Sequence, residues 1–330
     1  HSAALMNTSR NRNCDCGSGK RFKECCGSLL DPMARITDAQ IRAAVHTADD
    51  EGLANNEEPK DRAFKNVLRV LTTLGVDNVV VAGQSAPPIV RRIHTANERL
   101  FRREDMQAGG LHLGAYMFRD IFCHFHVPLA FGTAKIDFFE IIDLTDYQKG
   151  WLASDSQEAA RFHDQGIDLL DFGYGWMEFG SGRPASTLSK ELIFRSHVQL
   201  EAAAAIATGG GDFRGIVHSS LLGVELSLKA GLAASGETKD DLRKRYGHDL
   251  KKAALELGKR ESAFDSARVV RSISTFPPFV QSRYEGAHPA RLEAGHILMT
   301  AQYIASEVTR CFSDRNLRAD DPEMAARTYP

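Results

Sequence analysis

The chain has 330 residues, a formal net charge of −2, and hydrophobic and charged shares of 43% and 25%. That balance belongs to a soluble globular protein with length enough for two domains. It excludes a surface coated throughout in positive charge for nucleic acid.

The opening HSAALMN has no charged n-region and no apolar h-region, so no signal peptide is predicted and the native start is placed at about Met6. The longest nearly apolar stretch, GIVHSSLLGVELSLKAGLAASG (215–236), is long enough to cross a bilayer. Glu225 and Lys229 stand four residues apart near its centre, however, as in a soluble amphipathic helix. No membrane association is expected. The expected compartment is the cytoplasm, where clustered cysteines hold metal more often than they form disulfides.

Four of the six cysteines lie in CDCGSGKRFKECC (14–26). Cys14, Cys16, Cys25 and Cys26 make a closed tetrahedral thiolate set for Zn²⁺, with no position left for a substrate water, so the site reads as structural. The glycines of GSG (17–19) can take φ > 0 and turn backbone amides toward sulfur. Arg10, Arg12, Lys20, Arg21 and Lys23 offset the net negative charge of four thiolates around one Zn²⁺. A redox or disulfide cluster is the competing reading. The adjacency of Cys25 and Cys26 disfavours it, since neighbours do not easily bridge to each other.

SRNRNCDCGSGKRFKECCG (9–27) resembles the SEC-C motif, the zinc module at the C-terminal tail of the SecA translocation ATPase and of many bacterial proteins. The resemblance covers roughly residues 9–30. It implies zinc held by these four cysteines and docking onto a protein partner or the ribosome, without catalysis. So short a segment buries too little core to fold without its metal.

Helical periods dominate after residue 30. ARITDAQIRAAVHTADDEGLANNEEPK (34–60) reads as a helix entering a polar linker, and DNVVVAG (77–83) as a short β segment or a buried helix turn. SAPPIVRRIHTANERLF (85–101) begins a helix at proline. LHLGAYMFRDIFCHF (111–125) is predicted as a further helix, as are stretches within 136–153 and 159–179. GSGRPAST (180–187) is the clearest break, and a domain boundary is placed there. Beyond it, 189–208, 215–236, 240–260 and the run through Ile297, Ala301, Ile304, Val308 and Cys311 predict four helices that form a bundle.

VELSLKAGL (224–232), YGHDL (246–250) and SRYEGAH (282–288) occur in the order of a HEPN domain, and residues 190–312 resemble that helical family. Active HEPN nucleases cut RNA without metal, usually as dimers, through an Arg-x₄₋₆-His motif. The resemblance therefore implies Arg283 and His288 as a catalytic pair, with Arg243 and His248 as a second match to the same spacing. Histidine would accept the 2′-hydroxyl proton and arginine would stabilise charge on the phosphate. Tyr284 and Pro289 depart from the active pattern, and many domains with Arg-Tyr here only bind. The bland alternative makes Arg283 a buried partner of Glu225 and His248 a helix-start residue beside Asp249.

Weaker candidates are Cys123, His124 and His126 in FCHFHV, whose alternation suggests ordinary packing with metal binding as the sharper reading. SSLL (219–222), VVVAGQSAPP (79–88) and DFGYGW (171–176) lack the context of a hydrolase serine, a dinucleotide loop or a kinase metal site. Phe172, Tyr174, Trp176 and Phe179 are expected in a core or interface. The stretches ERLFRRED (98–105) and LRKRYGHDLKK (242–252) are expected to be solvated helix faces.

The reading is a mainly α protein: a SEC-C module at 7–30, helix and linker at 31–60, a helical domain at 61–182, a HEPN-like bundle at 183–315 and a tail at 316–330. The expected function is zinc-dependent recognition with RNA or nucleotide binding, as a homodimer. A metal-independent endoribonuclease and a protein-interaction scaffold are the alternatives.

Overall fold

A computed structural model of the chain describes residues 13, 18–21, 24, 36–76, 81, 86–101, 111–130, 135–181, 184–209, 212–278, 289–320 and 326–330. Cys14, Cys16, Cys25, Cys26, Arg283 and His288 lie outside the described residues. The chain divides into two compact units, 1–108 and 109–330, and the described parts are mainly helical.

In the first unit Asn13 and Arg21 form an antiparallel bridge, and Gly19 takes φ +68°, the left-handed conformation anticipated within GSG (17–19). Among the described residues three helices follow, α1 (Asp38–Ala54), α2 (Pro59–Thr73) and α3 (Pro88–Asn97). Thr37 and Gln40 close a capping box at the head of α1. Pro59 and Pro88 open α2 and α3, where the missing N–H costs no helical bond. Ile41, Val45, Val67, Val70, Ile89 and Ile93 form the centre of a small core. Asn66, fully buried, is held by Asp49 at 3.1 Å and Asn97 at 3.4 Å. Of the segment DNVVVAG (77–83) only Val81 is described, outside any helix or strand.

The second unit opens with an antiparallel hairpin, β1 (His112–Phe118) and β2 (Ile121–Val127), in register from His112 opposite Val127 to Phe118 opposite Ile121. This corrects the helix expected over 111–125. Cys123, Phe125 and Val127 point into the core while His124 and His126 point out, the period of a strand. β1 is buried almost throughout, so its alternation is lost and its composition looks helical. The turn places Arg119 at φ +58°, without the glycine or asparagine that normally announces such a turn.

A 3₁₀ turn (Phe138–Glu140) then leads to α4 (Asp146–Ser154), α5 (Ser156–Gly175), α6 (Thr187–Thr208) and α7 (Phe213–Ala234). α8 (Leu250–Arg260), α9 (Ser266–Ile273) and α10 (Arg291–Phe312) follow. α6 packs along α7, α10 lies against α7 and α5, α8 lies on α7, and the hairpin packs on α5, α6 and α10. GSGRPAST thus separates two helices of one unit. The helix expected across 240–260 is interrupted by a π-helical turn, Leu242–Tyr246, and by Gly247 at φ +53°. α7 is apolar and long enough to cross a membrane by composition, and most of it is buried inside the unit.

Side chains cover the edge of β1 that β2 leaves open. Gln302, fully buried on α10, accepts from the Ala115 N–H at 2.9 Å and donates to the Ala115 carbonyl at 2.8 Å. Glu201 accepts from the Leu113 N–H at 2.9 Å. One amide side chain and one carboxylate do the work of a third strand there. Gly114 allows the close approach of α5: a Cβ at that position would lie 2.3 Å from a Leu169 methyl.

Asp164, Asp168 and Asp171 line one buried face of α5. Arg310 reaches Asp168 and Asp171, both at 2.7 Å. Arg327 donates to Asp168 at 2.9 Å, and Asp164 accepts from the Thr328 and Tyr329 amides at 2.7 and 2.9 Å. Described residues of the expected tail (316–330) are therefore fastened to the second unit. Phe172 and Phe179 are in the core, with Tyr174 and Trp176 packed against it, as their spacing predicts.

Candidate functional site

Glu225 and Lys229 lie one turn apart on α7, and the Lys229 ammonium donates to Glu225 Oε1 at 2.6 Å. The other carboxylate oxygen takes a hydrogen bond from His248 Nδ1 at 2.8 Å. Glu225 is only 6% exposed, so these contacts replace water around its charge. The expected pairing of Glu225 was with Arg283; among the described residues its partners are Lys229 and His248.

His248 owes its position to local backbone geometry. The π turn delivers the chain to Gly247, whose positive φ reverses direction, and Asp249 then caps α8 by accepting from the Lys252 N–H at 2.9 Å. Glu237 fixes the same turn through Arg245 at 2.5 Å and the Tyr246 hydroxyl at 3.2 Å, and it also pairs with Arg260. The helix-start reading of His248 therefore holds, but the residue also faces a groove.

The groove is about 280 Å³ in volume. Leu188, Leu192, Leu226 and Leu242 contribute apolar lining, while Arg195, Lys229, Lys239, Arg243 and His248 bring basic groups and Glu191 an acidic one. Arg243 is well exposed, with Asp240 at 3.7 Å. Arg243 and His248, the second Arg-x₄-His match, thus line one concavity. A cationic rim over leucines suits a ligand with one anionic and one apolar part.

A second concavity, about 360 Å³, belongs to the first unit and carries Arg42, Arg91, Arg92 and Arg99 against one carboxylate, Asp38. Arg92 donates to Asp38 Oδ1 at 2.9 Å and to the Ile36 carbonyl at 2.8 Å. The Arg92 hydrogen bond, then its charge, holds the Asp38 carboxyl below the usual range, with Arg42 and Arg99 acting in the same direction. Four guanidinium groups around one carboxylate leave an excess of positive charge.

Two clusters among the described residues bring metal-capable donors together: His112, His197 and Glu201, and His124, His126 and Asp143. In the first, His112 Nδ1 lies 3.0 Å from His197 Nδ1, and His197 Nε2 lies 3.4 Å from Glu201 Oε2. Trp176 stacks on the His197 ring at 4.3 Å. Burial, then the neighbouring His197, pushes His112 well below the usual histidine range. Two buried imidazoles thus lead to a partly exposed Glu201 carboxylate, and His112 Nε2 is buried without a hydrogen-bond partner among the described residues. In the second cluster, burial and then His126 lower His124, while the neighbouring Cys123 thiol donates to the Tyr116 carbonyl and burial pushes it up to about 12. Cys123 is a core residue, as its alternation suggests.

The sequence reading did not anticipate Glu225 as the partner of His248, or Asp143 and Glu201 as partners of histidines. His197 and Glu201 stand four residues apart on α6, a spacing the sequence does carry, whereas the Glu225–His248 contact and those of Asp143 join different elements and no local spacing signals them. No family model, curated protein or solved structure matches this chain.

Proposed function

We propose that this chain is a recognition protein whose second unit binds RNA or a nucleotide in the His248 groove, and whose N-terminal module docks it onto a protein partner or the ribosome. The observation that carries the first part is His248 held by Glu225 at 2.8 Å within a groove that also presents Arg195, Lys229, Lys239 and Arg243. Phosphate oxygens meet the cationic rim, and a sugar or base rests on the leucines. The arginine-lined concavity of the first unit offers phosphate a second place. The docking part rests on the cysteine motif. Cys14, Cys16, Cys25 and Cys26 would hold Zn²⁺ as a closed structural set whose binding energy folds the module. The resemblance to the HEPN family adds the expectation of a homodimer.

Metal-independent RNA cleavage is the second reading, and the Glu225–His248 contact favours it, because a carboxylate that orients an imidazole is how a general base is prepared. His248 would take the proton of a 2′-hydroxyl. The 2′-oxygen would bond to the adjacent phosphorus as the bond from phosphorus to the 5′-oxygen breaks, giving a 2′,3′-cyclic phosphate and a 5′-hydroxyl protonated by water. Arg243 would stabilise charge on the phosphate oxygens. Arg283 and His288 are the other candidate pair for these roles.

Fluorescence anisotropy with labelled single-stranded RNA in EDTA, at several salt concentrations, tests both readings, with gels of the same mixtures read for cleavage. Binding should weaken as salt rises, and Arg243→Ala or Lys239→Ala should lower the salt slope by about one. Cleavage lost in folded His248→Ala with binding retained selects the nuclease, and loss only in Arg283→Ala and His288→Ala selects that pair. RNA binding that is absent, or indifferent to all of these variants, leaves the scaffold reading.

A further inference from the structure

His124 and His126 stand on the outward face of β2, and Asp143 is brought beside them by backbone pairing. The His126 N–H donates to the Ile141 carbonyl at 2.8 Å and the Asp143 N–H to the His124 carbonyl at 3.1 Å, with Phe125 and Ile142 as bridge partners. A short strand-like segment thus fixes all three residues in register. Asp143 Oδ2 lies 3.4 Å from His124 Nδ1 and 3.2 Å from His126 Nε2, and the three donor atoms are all within 4.8 Å of one another. Both imidazoles are 29% exposed and the carboxylate 60%, so the cluster is open to solute.

We propose that His124 Nδ1, His126 Nε2 and Asp143 Oδ2 form a site for a divalent transition-metal ion of the Zn²⁺ class, with at least one coordination position open to water. Donor–metal bonds of about 2.0–2.2 Å put two donors on a tetrahedral ion roughly 3.4 Å apart, close to both separations seen here. Imidazole nitrogens suit Zn²⁺, Co²⁺ or Ni²⁺ better than Mg²⁺ or Ca²⁺, which prefer oxygen donors.

The second observation comes from the far side of the His124 ring. His124 Nε2 contacts Thr208 Oγ1, and that hydroxyl also lies 3.0 Å from the Ala204 carbonyl. The hydroxyl has one proton: given to the carbonyl, it leaves Thr208 accepting from Nε2–H, the tautomer in which Nδ1 keeps its lone pair for a metal beside the Asp143 carboxylate. A ligating histidine held through its other nitrogen is the usual support of a metal site. Thr208 is accordingly a positioning residue.

The site is independent of the His248 groove and of the cysteine module. Its test uses the full chain, stripped with chelator and titrated with Zn²⁺ and Co²⁺, in wild type and in a Cys25→Ser/Cys26→Ser background. Folding of each variant is checked by circular dichroism. His126→Ala and Asp143→Asn, both at partly exposed positions, should each remove one equivalent of bound metal. In the cysteine-altered background, Co²⁺ should give visible bands without thiolate charge transfer, and these bands should vanish in both variants. Thr208→Val should weaken Zn²⁺ binding by about 10- to 100-fold. Unchanged stoichiometry and spectrum in folded His126→Ala and Asp143→Asn would overturn the proposal.

Discussion

Asp168 has no exposure to water and is shared by Arg310 and Arg327. Burial acts to raise its carboxyl, but the charges of Arg327 and Arg310 outweigh it and hold the group below the usual range. A lowered folded-state value means that this stabilisation is complete above the ordinary aspartate value of about 3.9 and is lost as pH falls through the lower one. Asp171 shifts the other way, because burial prevails over Arg310, so it takes its proton first as acid is added. Asp168→Asn leaves two buried guanidinium groups short of a partner and should cost about 3–5 kcal/mol at pH 7. Urea denaturation between pH 7 and pH 3 checks this: the variant should lose less further stability below about pH 4 than wild type. Equal acid slopes would show that Asp168 is not the group responsible. At Glu225 the same reasoning predicts that Glu225→Ala destabilises by roughly 3 kcal/mol, since Lys229 is itself largely buried. Glu225→Gln, which keeps the size and one acceptor, should cost less. Similar losses in the two variants would argue against a charge-based role.

Among the elements, helices were readable and the hairpin was not, for a definable reason. The spacing of Val217, Leu221, Val224, Leu228 and Leu232 marks one face of α7, and all five are buried. The proline of SAPPIVRR marked the start of α3 in the same way. β1 carries no alternation, because both of its faces are covered, and the turn at Arg119 uses a residue that does not advertise positive φ. Only β2 wrote its period into the sequence, in Cys123, Phe125 and Val127 against His124 and His126. That same alternation was taken for packing within a helix. The π turn that sets His248 toward Glu225 was equally hidden, since Leu242–Tyr246 has ordinary helical composition. The edge of β1 makes a sharp prediction. Gln302→Leu preserves bulk but leaves both the N–H and the carbonyl of Ala115 unsatisfied, which should cost roughly 2–4 kcal/mol. Equilibrium urea unfolding measures it, and a loss under 1 kcal/mol would mean that water or a shifted strand replaces the amide.

At the scale of the whole chain, the two units have separate hydrophobic cores. One is drawn wholly from residues 36–100 and the other from residues 111–329. A cysteine-rich segment of thirteen residues that holds zinc as proposed would take its folding energy from the metal. The cysteine spacing was the most legible feature of the sequence, because four thiols in thirteen residues need no tertiary structure to be recognised. The groove and the candidate metal cluster were legible only in part: His124 with His126, and Arg243 with His248, stand out in the sequence, but Asp143 and Glu225 reach them only through the fold. Cys25→Ser/Cys26→Ser should therefore abolish thiolate-bound zinc and increase protease cleavage near residues 9–30. The second unit should be unaffected, with its urea midpoint and the proposed RNA binding in the His248 groove unchanged. Limited proteolysis with mass spectrometry, run beside urea unfolding, reads both outcomes. A lowered midpoint for the second unit would show that the cysteine-rich segment takes part in its stability, and the division into independently folding parts would fail.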